Sequence, residues 1–337
     1  MMRRMGADPA EPRFPHVGPD TPHYESYFIK ARHPSEPRAF WMRHTVHQRP
    51  GEPRTASVWL TLFDATAREP VVAGKHTVGG GDLAAPPGGY IAIGGSTVEP
   101  GRAHGSLDSP TLSTSWDFTI DSTDPPLRHL PIARMYEAKV PRTKSMTPHP
   151  AALFAGRLGD WTLDGWLGVS SHNWGSEHAE RWIYLHCGHF EGHGRSTWLE
   201  MTIGRIRLGP ITVPWIAQGA LQLDGERHRL GGPQRIRSTS VAERPTGVRL
   251  ATGGDGLKRV EVSIEVPRDH LVAWRYADPE GPEHHSLHSS IADLTLAVTH
   301  ADGRTERLRS LQAATYELGI RETDHGIAVQ PYDDGRL

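Results

Sequence analysis

Residues 181–190 read RWIYLHCGHF and residues 196–208 read STWLEMTIGRIRL; their shared alternation decides the fold. Successive side chains of a strand point to opposite faces. The first segment therefore sets Trp182, Tyr184, His186 and Phe190 against Ile183, Leu185, Cys187 and His189. The second sets Trp198, Glu200 and Thr202 against Leu199, Met201 and Ile203. Each strand has one aliphatic face and one mixed aromatic and polar face. The short link 191–195 contains glycine, so the two form a hairpin. Like faces must match, because a one-residue slip would exchange every side chain. A loop centred on His193 then puts His186 opposite Glu200 and Tyr184 opposite Thr202. The mixed face turns either to solvent, as one face of an antiparallel sheet often does, or to a ligand pocket. Its large aromatic rings favour the pocket.

Alternation of this kind recurs along the chain. Trp116, Phe118 and Ile120 alternate with Asp117, Thr119 and Asp121, and Val260, Val262, Ile264 and Val266 alternate with Glu261, Ser263 and Glu265. Asp224-Gly225 and Asp302-Gly303 sit between strand-like runs, where a type I′ hairpin turn needs positive φ at both central residues. Long helical periodicity is scarce, and 36 glycines and 28 prolines punctuate the chain. Many short strands joined by such turns predict an all-β protein of sandwiches or barrels. A chain of 337 residues is long enough for two domains. The expected division is a disordered tail at 1–20, one domain at 21–208 and a second at 209–337. FWMRHTV at 40–46 is expected to be the first strand, and RTKSMTPHPAA at 142–152 an ordered loop.

A net charge of −2 argues against an electrostatic nucleic-acid binder. The single cysteine, Cys187, permits no disulfide within the chain and suits a reducing compartment. No signal peptide is evident, and no run of ~18 apolar residues is present to span a membrane. A cytoplasmic location is the expectation. Cys187 falls on the aliphatic face, as a core residue rather than a nucleophile.

Functional groups concentrate at 168–182, GVSSHNWGSEHAERW. Polar chemistry among large aromatic rings is the composition of a ligand pocket. His172 is placed to act as a general acid or base, or simply to hydrogen-bond, and Asn173 and Trp174 lie beside it. Glu177 and Arg181, four residues apart, would pair in a short helical turn as a structural ion pair. Glu200, between the indoles of Trp182 and Trp198, would be desolvated. Desolvation raises a carboxyl pKa and makes a proton donor near neutral pH, while a protonated His186 beside it would act the other way. The histidines lack metal-ligand spacing: His186 and His189 point to opposite strand faces, and His284, His285 and His288 have no cysteine or carboxylate at a familiar zinc interval. No metal and no cofactor are expected. The chain also lacks a GxSxG elbow and a P-loop.

The stretches GVSSHNWGSEHAERW and WLEMTIGR resemble the AttH-like and carotenoid 1,2-hydratase (hydroxyneurosporene synthase) superfamily. The likeness rests on His172, Trp174 and Gly175, and on the aromatic-x-acid pair Trp198 and Glu200. It implies two lipocalin-like β-domains. It further implies that Glu200 protonates a C=C bond with His172 as its partner, while Trp174 and Trp198 face a developing cation. Glutamate stands where the pattern has aspartate, and tryptophan where it has tyrosine. Acid-assisted hydration, isomerisation or cyclisation of an apolar, isoprenoid- or polyketide-like molecule is the expected function, with Glu200, His172 and His186 as catalytic residues. Trp174, Trp182, Tyr184, Trp198 and Asn173 would contact the substrate. The alternatives are a non-catalytic carrier of an apolar molecule, which needs no buried acid, and a metal-assisted hydrolase.

Overall fold

The structure is a computed structural model that describes residues 10–208 and 211–330. Two large antiparallel sheets divide the chain. The first takes every strand from His23–Arg32 to Trp161–Gly175. At its centre, His23–Arg32 lies between Arg38–Gln48 and Trp161–Gly175. Thr143–Leu158 and Ser113–Asp121 follow outward. The sheet curls over a core in which Phe40, Phe118, Phe154 and Trp166 meet. The second sheet takes the large strands from Arg181–Cys187 onward. Eight of its strands close into a barrel through the pairing of Leu230 with Gly254. The barrel is filled by Ile183, Leu185, Leu199, Met201, Val260, Val262 and Ile264. A two-lipocalin-like, all-β architecture is what this describes.

The hairpin register is the one read from sequence: His186 pairs with Glu200 and Tyr184 with Thr202. The aliphatic faces fill the barrel of the second sheet. The mixed faces turn to the first sheet rather than to solvent. Phe190 departs from the expected face because the strand ends at Cys187, and its ring joins the barrel core. Cys187 is buried in that core. Asp224 and Gly225 have φ of 49° and 93°, as a type I′ turn requires. At Asp302-Gly303 only the glycine has positive φ, 91°, and the connection between His284–His300 and Thr305–Ile320 is longer.

Four expectations need correction. The first strand is His23–Arg32, ahead of FWMRHTV. All ten of its residues are buried, because one face lines the first core and the other covers the second sheet. Burial on both sides removes the polar face by which a half-buried strand is recognised. The segment 142–152 falls largely within a strand, Thr143–Leu158, whose prolines sit at register shifts of the ladder. The part of the expected tail at 1–9 lies outside the described residues. Further on, the chain is packed: Phe14 is buried, and the backbone N–H groups of Arg13 and Phe14 donate to the Glu25 carboxylate at 2.9 and 2.6 Å. The change of sheet falls between Gly175 and Arg181, upstream of residue 208.

Candidate functional site

Alternation along the strands at the sheet-to-sheet contact builds the site. Phe28 and Lys30 come from the central strand of the first sheet, and Trp41 and Arg43 from its neighbour. Trp182 and Tyr184, Glu200 and Thr202, and Glu317 come from the facing strands of the second. A cavity of about 370 Å³ opens between them. Apolar groups dominate its wall, with Phe28, Trp41, Leu130, Trp182 and Tyr276 among them. The polar wall residues include Arg43, His129, Asn173, His178, Thr202 and Glu317. A larger hollow, about 620 Å³, lies on the second sheet among Arg249, Glu261, Arg307 and Arg309. All four of these side chains belong to exposed residues and no buried acid stands among them, so size does not locate the chemistry.

Glu200 is fully buried just behind the cavity wall. Its Oε1 accepts hydrogen bonds from Thr147 Oγ1 at 2.5 Å and Tyr184 OH at 3.2 Å. His129 Nε2 stands 3.5 Å from the same oxygen. His129 is fixed in turn by Thr202 Oγ1, 2.9 Å from its Nδ1. The other oxygen, Oε2, has no hydrogen-bond partner among the described residues. Burial pushes this carboxyl up, but the hydrogen bond and charge of His129, with the charge of His186 and the Thr147 bond, pull it further down. The balance that sequence leaves open thus falls toward the carboxylate. Lys30, buried over the Tyr184 ring at 4.1 Å, is pushed down to about 8, chiefly by desolvation.

Residues expected at the site separate into those the fold brings together and those it does not. Trp182, Tyr184 and Asn173 line the cavity. Trp198 is fully buried beside Leu127 and Ala220, under the Arg227 guanidinium at 4.9 Å. His186 neighbours Glu200 across the strands, but its Nε2 is 3.1 Å from the Pro150 carbonyl oxygen, and burial pushes its pKa down. His172 is not the partner of Glu200. Strand alternation turns Ser171 toward Thr147, which holds Glu200, and His172 to the opposite face. There its Nε2 lies 2.8 Å from Glu25 Oε1, and its ring stacks on Tyr27. Trp174 follows the same face, against His172 and Tyr136. The Glu177–Arg181 pair is also corrected. No helical turn forms there; Glu177 meets Arg142 at 2.8 Å, while Arg181 starts a strand and meets Glu243 at 2.7 Å. Among the described residues no group of three or more His, Cys, Asp or Glu is arranged to hold a metal ion. No helix among them is long and apolar enough to cross a membrane.

Sequence reading missed His129, Thr147 and Glu25. His129 lies in PPLRHLP, at 125–131, where proline hides the two-residue strand Leu127–Arg128. Thr147 lies in the strand mistaken for a loop. Glu25 could have been found: HYESYFIKAR alternates Glu25, Tyr27, Ile29 and Ala31 with Tyr24, Ser26, Phe28 and Lys30.

No known family model and no curated protein matches the chain. Solved structures do. A protein provisionally assigned as AttH from Nitrosomonas europaea aligns over 88% of this chain and 92% of its own, at a TM-score of 0.50 and 14% identity. Kievitone hydratase from Nectria haematococca aligns over 94% of this chain and 93% of its own, at a TM-score of 0.50 and 10% identity. The mutual coverage is nearly complete and the identity low, so the likeness is one of fold: the chain shares the all-β, lipocalin-like architecture of these two solved proteins.

Proposed function

We propose that the chain catalyses an acid-assisted hydration, isomerisation or cyclisation of an apolar small molecule held between its two sheets. The observation that carries this reading is Glu200: a carboxyl fully buried behind a mostly apolar cavity, with one oxygen held by Thr147 and Tyr184 and the other without a hydrogen-bond partner among the described residues. An unpartnered charged oxygen in such a place is costly, and a site for proton transfer accounts for its retention. A carrier of apolar molecules needs no such group. Because the carboxyl is held below its usual range, the acid is better described as the Glu200–His129 pair. His129 reaches the cavity, and Glu200 supplies the negative charge behind it. That charge also stabilises a cation developing on the substrate, alongside the faces of Trp182 and Tyr184. The same fold houses kievitone hydratase, which agrees with a hydratase-type or cyclase-type reaction.

The test incubates the purified protein with prenylated phenols, linear isoprenoids and polyene polyketides in H2¹⁸O. Mass spectra are then compared for the unsubstituted chain and Glu200→Gln. Addition of labelled water, or an isomer of unchanged mass, is expected from the first and not from the second, with circular dichroism of the two alike. Equal turnover by both would remove Glu200 from the chemistry.

A further inference from the structure

The turn that carries the chain from one sheet to the other, 176–180, places His178 at the cavity wall. Its Nδ1 is 2.5 Å from Asp278 Oδ1, which also accepts the backbone N–H of His178 at 3.1 Å. Asp278 is fully buried, and His284 Nδ1 stands 3.2 Å from its second oxygen. Burial opposes ionisation of Asp278, but the charges and hydrogen bonds of His178 and His284 outweigh it and hold the carboxyl well below its usual range. The imidazole is clamped between Tyr24, stacked at 4.1 Å, and Trp182, at 5.1 Å. The side chain is 10% exposed, yet Nε2 is buried without a hydrogen-bond partner among the described residues.

The backbone N–H and Nδ1 both go to Asp278, which leaves Nε2 as the ring nitrogen without a hydrogen-bond partner among the described residues. A carboxylate on Nδ1 fixes the tautomer that leaves Nε2 as a lone pair, which is how an imidazole is prepared as a base. Across the Tyr276 ring, Arg43 also lines the cavity. Its guanidinium carbon is 4.2 Å from the ring centroid, and its buried Nε has no hydrogen-bond partner among the described residues.

We infer that His178, oriented by Asp278, is a second proton-transfer residue of this cavity, a general base for an apolar substrate bearing an enolisable carbonyl. Removal of the C–H proton to Nε2 leaves the electron pair in a new C=C bond and the negative charge on the carbonyl oxygen, which Arg43 stabilises. The proton is returned at another carbon, so no oxidant or co-reactant is needed. This inference rests on the inter-sheet cavity being the reaction site; it does not depend on Glu200 protonating a double bond.

The probe is 5-nitro-1,2-benzisoxazole, a flat apolar bicycle. Loss of its C3 proton to a base breaks the N–O bond and releases a coloured phenolate. The full chain is expected to accelerate this elimination with saturation. The rate should fall at least tenfold in His178→Gln and in Asp278→Asn. A rate no greater than that of free imidazole at equal concentration overturns the inference, as does loss of rate in Glu200→Gln but not in the other two. Should either variant fail to fold, the unsubstituted chain still decides. Two-bond ¹H–¹⁵N spectra should place the His178 proton on Nδ1, and a proton on Nε2 in the neutral form overturns the assignment. Failure here leaves the labelled-water experiment unaffected, and failure there leaves this one.

Discussion

At the residue scale, the account turns on what surrounds one carboxyl. Glu200 has no solvent exposure, and an isolated carboxyl in that position would stay protonated. His129 and Thr147 reverse this, and neither residue could be paired with Glu200 from spacing: they lie 71 and 53 positions away in a chain whose turns are short. Proton transfer by a positioned side chain contributes roughly 10² to 10⁴-fold in rate. Glu200→Gln keeps the hydrogen bonds to Oε1 and removes the charge, so turnover should fall within that span while the melting temperature changes little. His172 illustrates the opposite case. The motif containing it was legible, but its role was not, because alternation in Trp161–Gly175 turns it away from Glu200 and toward Glu25.

At the scale of elements, side-chain alternation was legible wherever one face of a strand met a core and the other met something different. The hairpin of Arg181–Cys187 and Trp198–Arg205 was recoverable to the residue, register included. Strands buried on both faces were harder to read, since His23–Arg32 mixes apolar and polar side chains on each face and has no solvent side to set them apart. Prolines at ladder shifts concealed Thr143–Leu158 for a related reason. A glycine pairing shows how such elements shape the cavity. Trp182 lies opposite Gly319, where a Cβ would come within 2.1 Å of the indole. The ring crosses the neighbouring strand there, and its Nε1 donates to Glu317 at 3.1 Å. Gly319→Ala should expel the indole from this position at a cost of about 1–3 kcal/mol, the usual range for overpacking. Denaturant unfolding with tryptophan fluorescence checks it. A variant of undiminished stability and unchanged emission would mean that the ring does not need the bare backbone.

For the whole molecule, the contact between sheets is both the site and a store of buried polar groups. Burial holds two imidazoles neutral. His44 in the first sheet is pushed down to about 3. His288 at the interface is pushed down to about 4 by burial and by Lys30, against the pull of Glu317. Both folded values lie below the ordinary histidine value of 6.5 given for each. The unfolded chain therefore binds more protons between pH 6.5 and about 4, and stability must fall as pH falls through that window. Each group contributes a slope of up to about 1.4 kcal/mol per pH unit. Unfolding free energies from urea titrations at pH 7 and pH 5 should differ accordingly, and His44→Gln should reduce the difference. A stability independent of pH over this range would show that these rings are not held neutral.

The central claim is the place of the chemistry: between the sheets and not on the outer surface of either sheet. It is tested most directly by a crystal structure of Glu200→Gln soaked with a compound that the unsubstituted chain converts. The account predicts electron density between Trp182, Tyr184 and His129, within reach of the His178 ring. Density confined to the larger hollow among Arg249, Glu261 and Arg307, with the inter-sheet cavity empty, would contradict it.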